Sequence, residues 1–281
     1  MSLCVAWRFA EKFCLASESC ITIGDEQRFC GIKVVQVPLR IMSATDAQSG
    51  VCSTVFESIY GLGFSGQFMT AYLVKETISE LLFNLQYLKS RETLEFERIC
   101  QLVFSAYRRI VDELNGHGFG NDLDIVLMGT CPASRRGRAA LFYRDEGEDK
   151  LKWRPVLEET PFSYLAIGSG EQRFHETLRI HKKSQPRVHL AILESLQEVA
   201  ESRDIPSVGG AIQYGDFDAG ADFHLFGTLD FEKRNGQIEV LQLIRGVELK
   251  TIHEGQGIDD LHVHYSFINP FEAKRDRLLS E

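Results

Sequence analysis

Met1-Ser2-Leu3-Cys4-Val5-Ala6-Trp7 is the stretch on which the reading of this chain turns. An initiator methionine is commonly trimmed when a small residue follows, so the mature chain is expected to begin at Ser2. That residue then bears a hydroxyl and a free α-amine at the head of an apolar, strand-like run. The two groups form a nucleophile with its own base. Three supports are needed around such a serine: a cation that lowers the pKa of the hydroxyl and the amine, an acid that holds the cation, and donors for a tetrahedral oxyanion.

Working outward, candidates for each support follow. Lys33 lies in Gly31-Ile32-Lys33-Val34-Val35-Gln36-Val37, where strand alternation puts it on the face of Val35 and Val37. A lysine on an apolar face implies either a partner carboxylate or an exposed face. Glu18, closing the run Leu15-Ala16-Ser17-Glu18, is the candidate partner.

The pattern of elements places these residues in a layered domain. Short strands are expected at Leu3 to Phe9, Phe13 to Ser17, Ile32 to Val37 and Ser58 to Phe64. Apolar residues at three- and four-residue steps predict helices over Gln67 to Leu88 and from Phe96 to Leu114, with Asn115-Gly116 as a stop signal. A meander follows at Asp124 to Met128, Arg138 to Tyr143 and Leu151 to Arg154. Phe162 to Ile167 then runs through Gly168-Ser169-Gly170 into helices at Glu171 to Lys183 and Val188 to Ser202. Strands resume at Val208 to Tyr214 and Asp222 to Phe231. The order sheet, two helices, sheet, two helices, sheet predicts an α+β protein in which two antiparallel sheets stack between helix pairs. Ile238 to Ile244 and Val247 to Ile252 read as a further hairpin in a C-terminal β-rich appendage. The expected division is 1–231 for the main domain and 232–281 for the extension packed on it.

Bulk properties narrow the field without choosing a function. The 281 residues carry a formal net charge of −9, which argues against a general nucleic-acid binder. Arg135, Arg136 and Arg138 read as a solvated turn. Seven cysteines without CxxC spacing read as reduced thiols, with no disulfide frame or zinc site, and Cys4 is expected to pack in its strand. Arg8, Glu11 and Lys12 interrupt any apolar signal region, and no apolar run reaches the roughly 20 residues of a membrane span. A cytoplasmic protein without membrane or nucleic-acid partners is the expectation. Asp259, Asp260, His262 and His264, with His253 nearby, alternate on a strand pattern; they read as a half-exposed strand, and no metal or cofactor is expected.

Six pieces in chain order make the sequence from Ser2 to Phe231 resemble a β-type proteasome subunit of the N-terminal-nucleophile (Ntn) hydrolases. They are the Ser2 to Trp7 strand, Glu18, the Lys33 strand, Gly63-Phe64-Ser65-Gly66 before the first long helix, Ala166-Ile167-Gly168-Ser169-Gly170, and Asp204-Ile205-Pro206-Ser207-Val208-Gly209-Gly210. The start without a propeptide is most similar to bacterial proteasome-like subunits, including the ancestral-β-subunit (Anbu) group. The chain departs from the family in having serine in place of the usual threonine, glutamate in place of aspartate, and Cys20 in place of an arginine.

The resemblance implies a four-layer αββα sandwich and amide-bond hydrolysis through an acyl-enzyme on Ser2. It implies catalytic positions at Ser2, Glu18 and Lys33, an oxyanion donor in the Gly66 N–H, and a supporting network of Ser169, Asp204 and Ser207 around the terminal amine. It further implies a homo-oligomer acting on peptide or unfolded-protein substrates. No GxxxxGK[ST] loop is present, so energy-dependent action would require a separate ATPase unfoldase. The alternative reading is a catalytically inactive proteasome-like scaffold or binding subunit.

Overall fold

The computed structural model describes residues 2–23, 26–44, 51–89, 93–115, 122–145, 147–157, 162–202, 204–234, 236–253 and 265–269. The chain opens with a hairpin, β1 (Cys4–Phe9) and β2 (Lys12–Ser17), whose turn holds Ala10 at φ 52°. A two-stranded sheet follows, β3 (Ile21–Ile23) with β4 (Glu26–Arg28), and then the long arms β5 (Val34–Met42) and β6 (Thr54–Gly66). Helix α1 (Phe68–Phe83), the two-residue β7 (Leu85–Gln86) and helix α2 (Phe96–Asn115) come next. The meander is β8 (Leu123–Thr130), β9 (Gly137–Asp145) and β10 (Lys150–Val156), after which β11 (Phe162–Ile167) leads into α3 (Glu171–Ser184) and α4 (Val188–Ser202). The remainder is β12 (Gln213–Asp218), β13 (His224–Arg234), β14 (Gln237–Ile244), β15 (Val247–Glu248), α5 (Leu249–His253) and β16 (Phe267–Ile268).

Two large sheets organise these strands. One runs β11-β1-β2-β12-β13-β14-β15 with β16 beside β13; the other runs β10-β9-β8-β6-β5-β7. Pairing is antiparallel except for the short β7 and β16, which lie parallel to β5 and β13.

Alternation along β1 shows how the core is shared. Leu3, Val5 and Trp7 join a cluster with Phe174 and Leu178 of α3 and Ile192, Leu196 and Val199 of α4. Cys4 and Ala6, on the other face, join Leu15, Val126, Met128 and Leu141, a cluster that draws on both large sheets. A third cluster packs Val74, Ile78 and Leu82 of α1 and Ile99, Val103 and Tyr107 of α2 against Val37, Leu39, Leu62 and Leu127. β1 is therefore buried on both faces, which is why its sequence is a nearly continuous apolar run and not an alternating one.

Several expected boundaries shift. The first long helix stops at Phe83, and the chain resumes as β7 at Leu85. The strand expected from Val208 starts only at Gln213, because Val208 N–H closes a turn onto the Ile205 carbonyl and Gly210 sits at φ 82°. The expected hairpin arm from Val247 lasts two residues before turning into α5. Lys33 precedes β5: its carbonyl accepts from Phe64 N–H, while its own N–H donates to the side chain of Gln213.

Candidate active site

Ser2 is buried at the head of β1, held by its neighbours' backbone. Leu3 N–H donates to Glu18 Oε1 at 3.0 Å, and the Leu3 carbonyl accepts from Ser17 Oγ at 2.8 Å. The Ser2 carbonyl faces the turn between β11 and α3, where Gly170 N–H and the hydroxyls of Ser65 and Ser169 each approach to 3.4 Å. Gly168 makes this approach feasible: it sits at φ 99°, and a Cβ there would lie 2.1 Å from the Ser2 carbonyl oxygen.

Glu18 follows β2 directly, in a segment that leaves the sheet and is buried completely. Its Oε1 takes Lys33 Nζ at 2.5 Å in addition to Leu3 N–H. Its Oε2 takes Cys20 N–H at 2.6 Å and Gly209 N–H at 3.3 Å. Burial raises the Glu18 carboxyl above its ordinary value, opposed by the charge and hydrogen bond of Lys33 and by the two nearer N–H donors. With Lys33 only 1% exposed, this is a buried ion pair whose acid oxygens are hydrogen-bonded, the condition under which such a pair persists in a core.

Gly66 ends β6 at φ 129°, one residue before the Gln67 N-cap of α1. A Cβ at this position would lie 1.9 Å from the Asp122 carbonyl oxygen, so glycine is required by both backbone and space. Ser2, Lys33 and Gly66 line one cleft of about 230 Å³, with Cys20, Phe64 and Phe68 among its other walls. Ser169 and Ser207 meet at 2.8 Å on its flank, through the Ser169 contact to the Ser2 carbonyl. Asp204 stands apart: it is exposed, its carboxylate faces Arg173 of α3 at 3.8 Å, and among the described residues it makes no hydrogen bond with Ser2, Ser169 or Ser207.

Some residues of this site carried no prior expectation. Gln213 Oε1 accepts from the N–H groups of Lys33 and Val34 at 2.9 and 3.2 Å, while its Nε2 donates to the Gly31 carbonyl. It thereby fixes the segment that bears Lys33. Ser17 and Ser65 brace the backbone around Ser2. The consecutive polar run Ser17-Glu18-Ser19 after an apolar strand was a usable signal for the first; a lone glutamine entering β12 was not. Cys4, two residues beyond Ser2, is buried and its thiol is pushed up to about 12 by that burial, as suits a packing residue. Asp259, Asp260, His262 and His264 lie outside the described residues. Among the described residues, no group of three or more potential ligands is placed to hold a metal ion, and no helix is long and apolar enough to cross a membrane.

With this geometry in place, three solved structures can be set beside the chain. An Anbu mutant from Hyphomicrobium sp. strain MC1 superposes with a TM-score of 0.54 at 15% identity, over 85% of this chain and 87% of that one. Anbu (ancestral beta-subunit) from Yersinia bercovieri gives 0.53 at 14%, over 80% and 86%. The helical assembly of the Anbu complex from Pseudomonas aeruginosa gives 0.53 at 14%, over 80% and 86%. The fold is Anbu-like. At these identities the likeness concerns the fold alone. No family model and no curated protein sequence matches the chain. The Anbu-like fold extends over most of the chain, beyond the segment that bears Ser2.

Proposed function

We propose that this protein is an N-terminal serine hydrolase that cleaves amide bonds of peptides or unfolded proteins after removal of Met1, working as a homo-oligomer. The observation that carries this reading is the buried Lys33–Glu18 pair, whose carboxylate also takes the N–H of Leu3 and whose lysine lines the same cleft as Ser2 and Gly66. The clusters on either side of the two large sheets support the layering αββα, with residues 1–231 as the main domain and 232–281 as an extension of it.

In the proposed reaction the Ser2 α-amine takes the hydroxyl proton as Ser2 Oγ attacks the substrate carbonyl. Lys33 disfavours a second positive charge beside it, which keeps the amine neutral, and it stabilises the developing alkoxide. Glu18 holds Lys33 charged and in place. The Gly66 N–H, at the entry to α1, donates to the oxyanion. The proton then passes to the departing amine, the C–N bond breaks, and an ester on Ser2 remains. Water hydrolyses that ester, returning the serine. Ser169 and Ser207 position the amine, and Asp204 holds Arg173 of α3 against the loop that bears Ser207. The helical Anbu assembly supports a homo-oligomeric working form, and an ATPase unfoldase would act as a separate partner.

Intact-mass measurement of the purified untagged chain, followed by reaction with a peptidyl electrophile, tests this. The expected result is a chain lighter by one methionine, with the adduct on its N-terminal peptide. Lys33→Ala is expected to lose about 10²-fold or more in labelling rate while keeping its circular dichroism. Quantitative retention of Met1, or labelling indifferent to Lys33→Ala, would overturn the reading in favour of an inactive scaffold.

A further inference from the structure

The acid and the ammonium of the buried pair come from different sheets. Glu18 follows the last residue of β2, whereas Lys33 precedes β5 of the second large sheet. Pairing of β5 with β6 begins only at Val34 and Gly63. Three backbone groups at the head of β5 go to one side chain. Gln213 Oε1 accepts from Lys33 N–H at 2.9 Å and from Val34 N–H at 3.2 Å, while Gln213 Nε2 donates to the Gly31 carbonyl. Two N–H donors require an oxygen and a carbonyl requires the nitrogen, so the partners fix the orientation of the amide.

Gln213 is tied just as closely to the acid. It opens β12 in register with Ser17, the residue before Glu18. Two residues earlier, Ala211 N–H donates to Ser19 Oγ at 2.9 Å, and two before that, Gly209 N–H donates to Glu18 Oε2 at 3.3 Å. The segment 209–213 therefore grips the Glu18 side of the pair along its backbone and the Lys33 side through the Gln213 carboxamide. That side chain is buried and neutral, so it joins the two sides without placing a further charge beside them. A buried ion pair offsets its desolvation only when its geometry is accurate, which makes such a common reference point consequential.

We propose that Gln213 is a positioning residue: its carboxamide sets where the Lys33 ammonium stands relative to Glu18 and Ser2, and through that ammonium the protonation of the Ser2 amine. The step to the Ser2 amine rests on the N-terminal serine reading; the placement of Lys33 does not.

Reductive methylation of the full chain, followed by peptide mapping, tests the placement without relying on activity. Lys33 is expected to resist in the wild type and to react at least about tenfold faster in Gln213→Met, which has similar length but none of the three bonds, with the rate at Lys150 of β10 unchanged. Should Gln213→Met not fold, Gln213→Asn, one methylene short of the three groups, takes its place. Gln213→Glu at about pH 5 carries a protonated acid that can accept from the two N–H groups and donate to the Gly31 carbonyl, so there its Lys33 is expected to be protected within about twofold of wild type. Labelling by a peptidyl electrophile then tests the step to Ser2. Displacing the ammonium relieves the amine of a nearby positive charge, so the alkaline rise of the labelling rate in Gln213→Met is expected to move up by about half a pH unit or more; a loss of folded protein alone would lower the plateau and leave the midpoint in place. Lys33 as resistant in the folded Met or Asn variant as in the wild type, or as reactive in Gln213→Glu at about pH 5 as in Gln213→Met, would overturn the placement. A midpoint that does not move in a chain that labels would overturn the step to the amine. A wild-type chain that does not label would fail the hydrolase reading and with it that step, and the placement would then be decided by Lys33 methylation.

Discussion

Glu18 takes two donors on each of its carboxylate oxygens, Lys33 and Leu3 on one, Cys20 and Gly209 on the other. Removing the ammonium leaves a buried charge with N–H donors alone, so Lys33→Ala is expected to destabilise the fold by about 3–5 kcal/mol, measurable by urea unfolding. A pH dependence follows from the same residue. Burial raises the native Glu18 carboxyl above its ordinary value, so the native state holds that proton more tightly than the unfolded chain does. Its contribution, most favourable at low pH, therefore shrinks as pH rises from the ordinary glutamate value through the raised one. Glu18→Gln lacks this titration. The stability difference between variant and wild type is expected to move toward the variant across that window and to level off above it; a difference flat with pH would refute the assignment. The pair itself was partly readable from sequence, since a lysine among valines implies either a partner carboxylate or an exposed face, and Glu18 was the candidate partner. Gln213 was not, because a neutral amide inside a strand leaves no charge pattern to read.

The turn from β11 into α3 is the element that fixes Ser2 from behind. Its glycine at 168 lies at φ 99° with no room for a Cβ against the Ser2 carbonyl, whereas the Ser169 hydroxyl contributes a 3.4 Å contact to that carbonyl and the link to Ser207. Gly168→Ala is thus expected to lower stability by at least about 2 kcal/mol, from the left-handed backbone and the clash together. Ser169→Ala is expected to keep its melting temperature within a few degrees while losing about tenfold in the proposed turnover. Thermal unfolding alongside labelling kinetics separates the two, and equal stability loss in both variants would contradict this division. Periodicity revealed α1 to α4 and most strands because each has enough residues to show a repeat. β3 and β4, three residues apiece, fall below that length, and α5 follows a strand so closely that its residues read as the strand's continuation.

At the scale of the whole molecule, β14 continues the β13 ladder, so residues beyond 231 enlarge the same sheet that contains β1. Assembly is a separate matter, and α1 offers a place to probe it. Val74, Ile78 and Leu82 fill the core, yet Met69, Tyr72 and Leu73 on the same helix are 62%, 50% and 44% exposed. An amphipathic surface helix needs only one apolar face; a second exposes hydrocarbon that contact between copies would cover. The double substitution Met69→Glu, Leu73→Glu leaves the buried face intact, so the fold and the Glu18–Lys33 pair are expected to survive. The solution mass by light scattering is expected to fall from an oligomer toward the monomer, because two carboxylates per chain would have to be desolvated in any contact through this face. A wild-type chain that is monomeric at all concentrations would remove the homo-oligomer from the functional reading. An oligomer whose mass is unchanged by the substitutions would instead move the contact off α1.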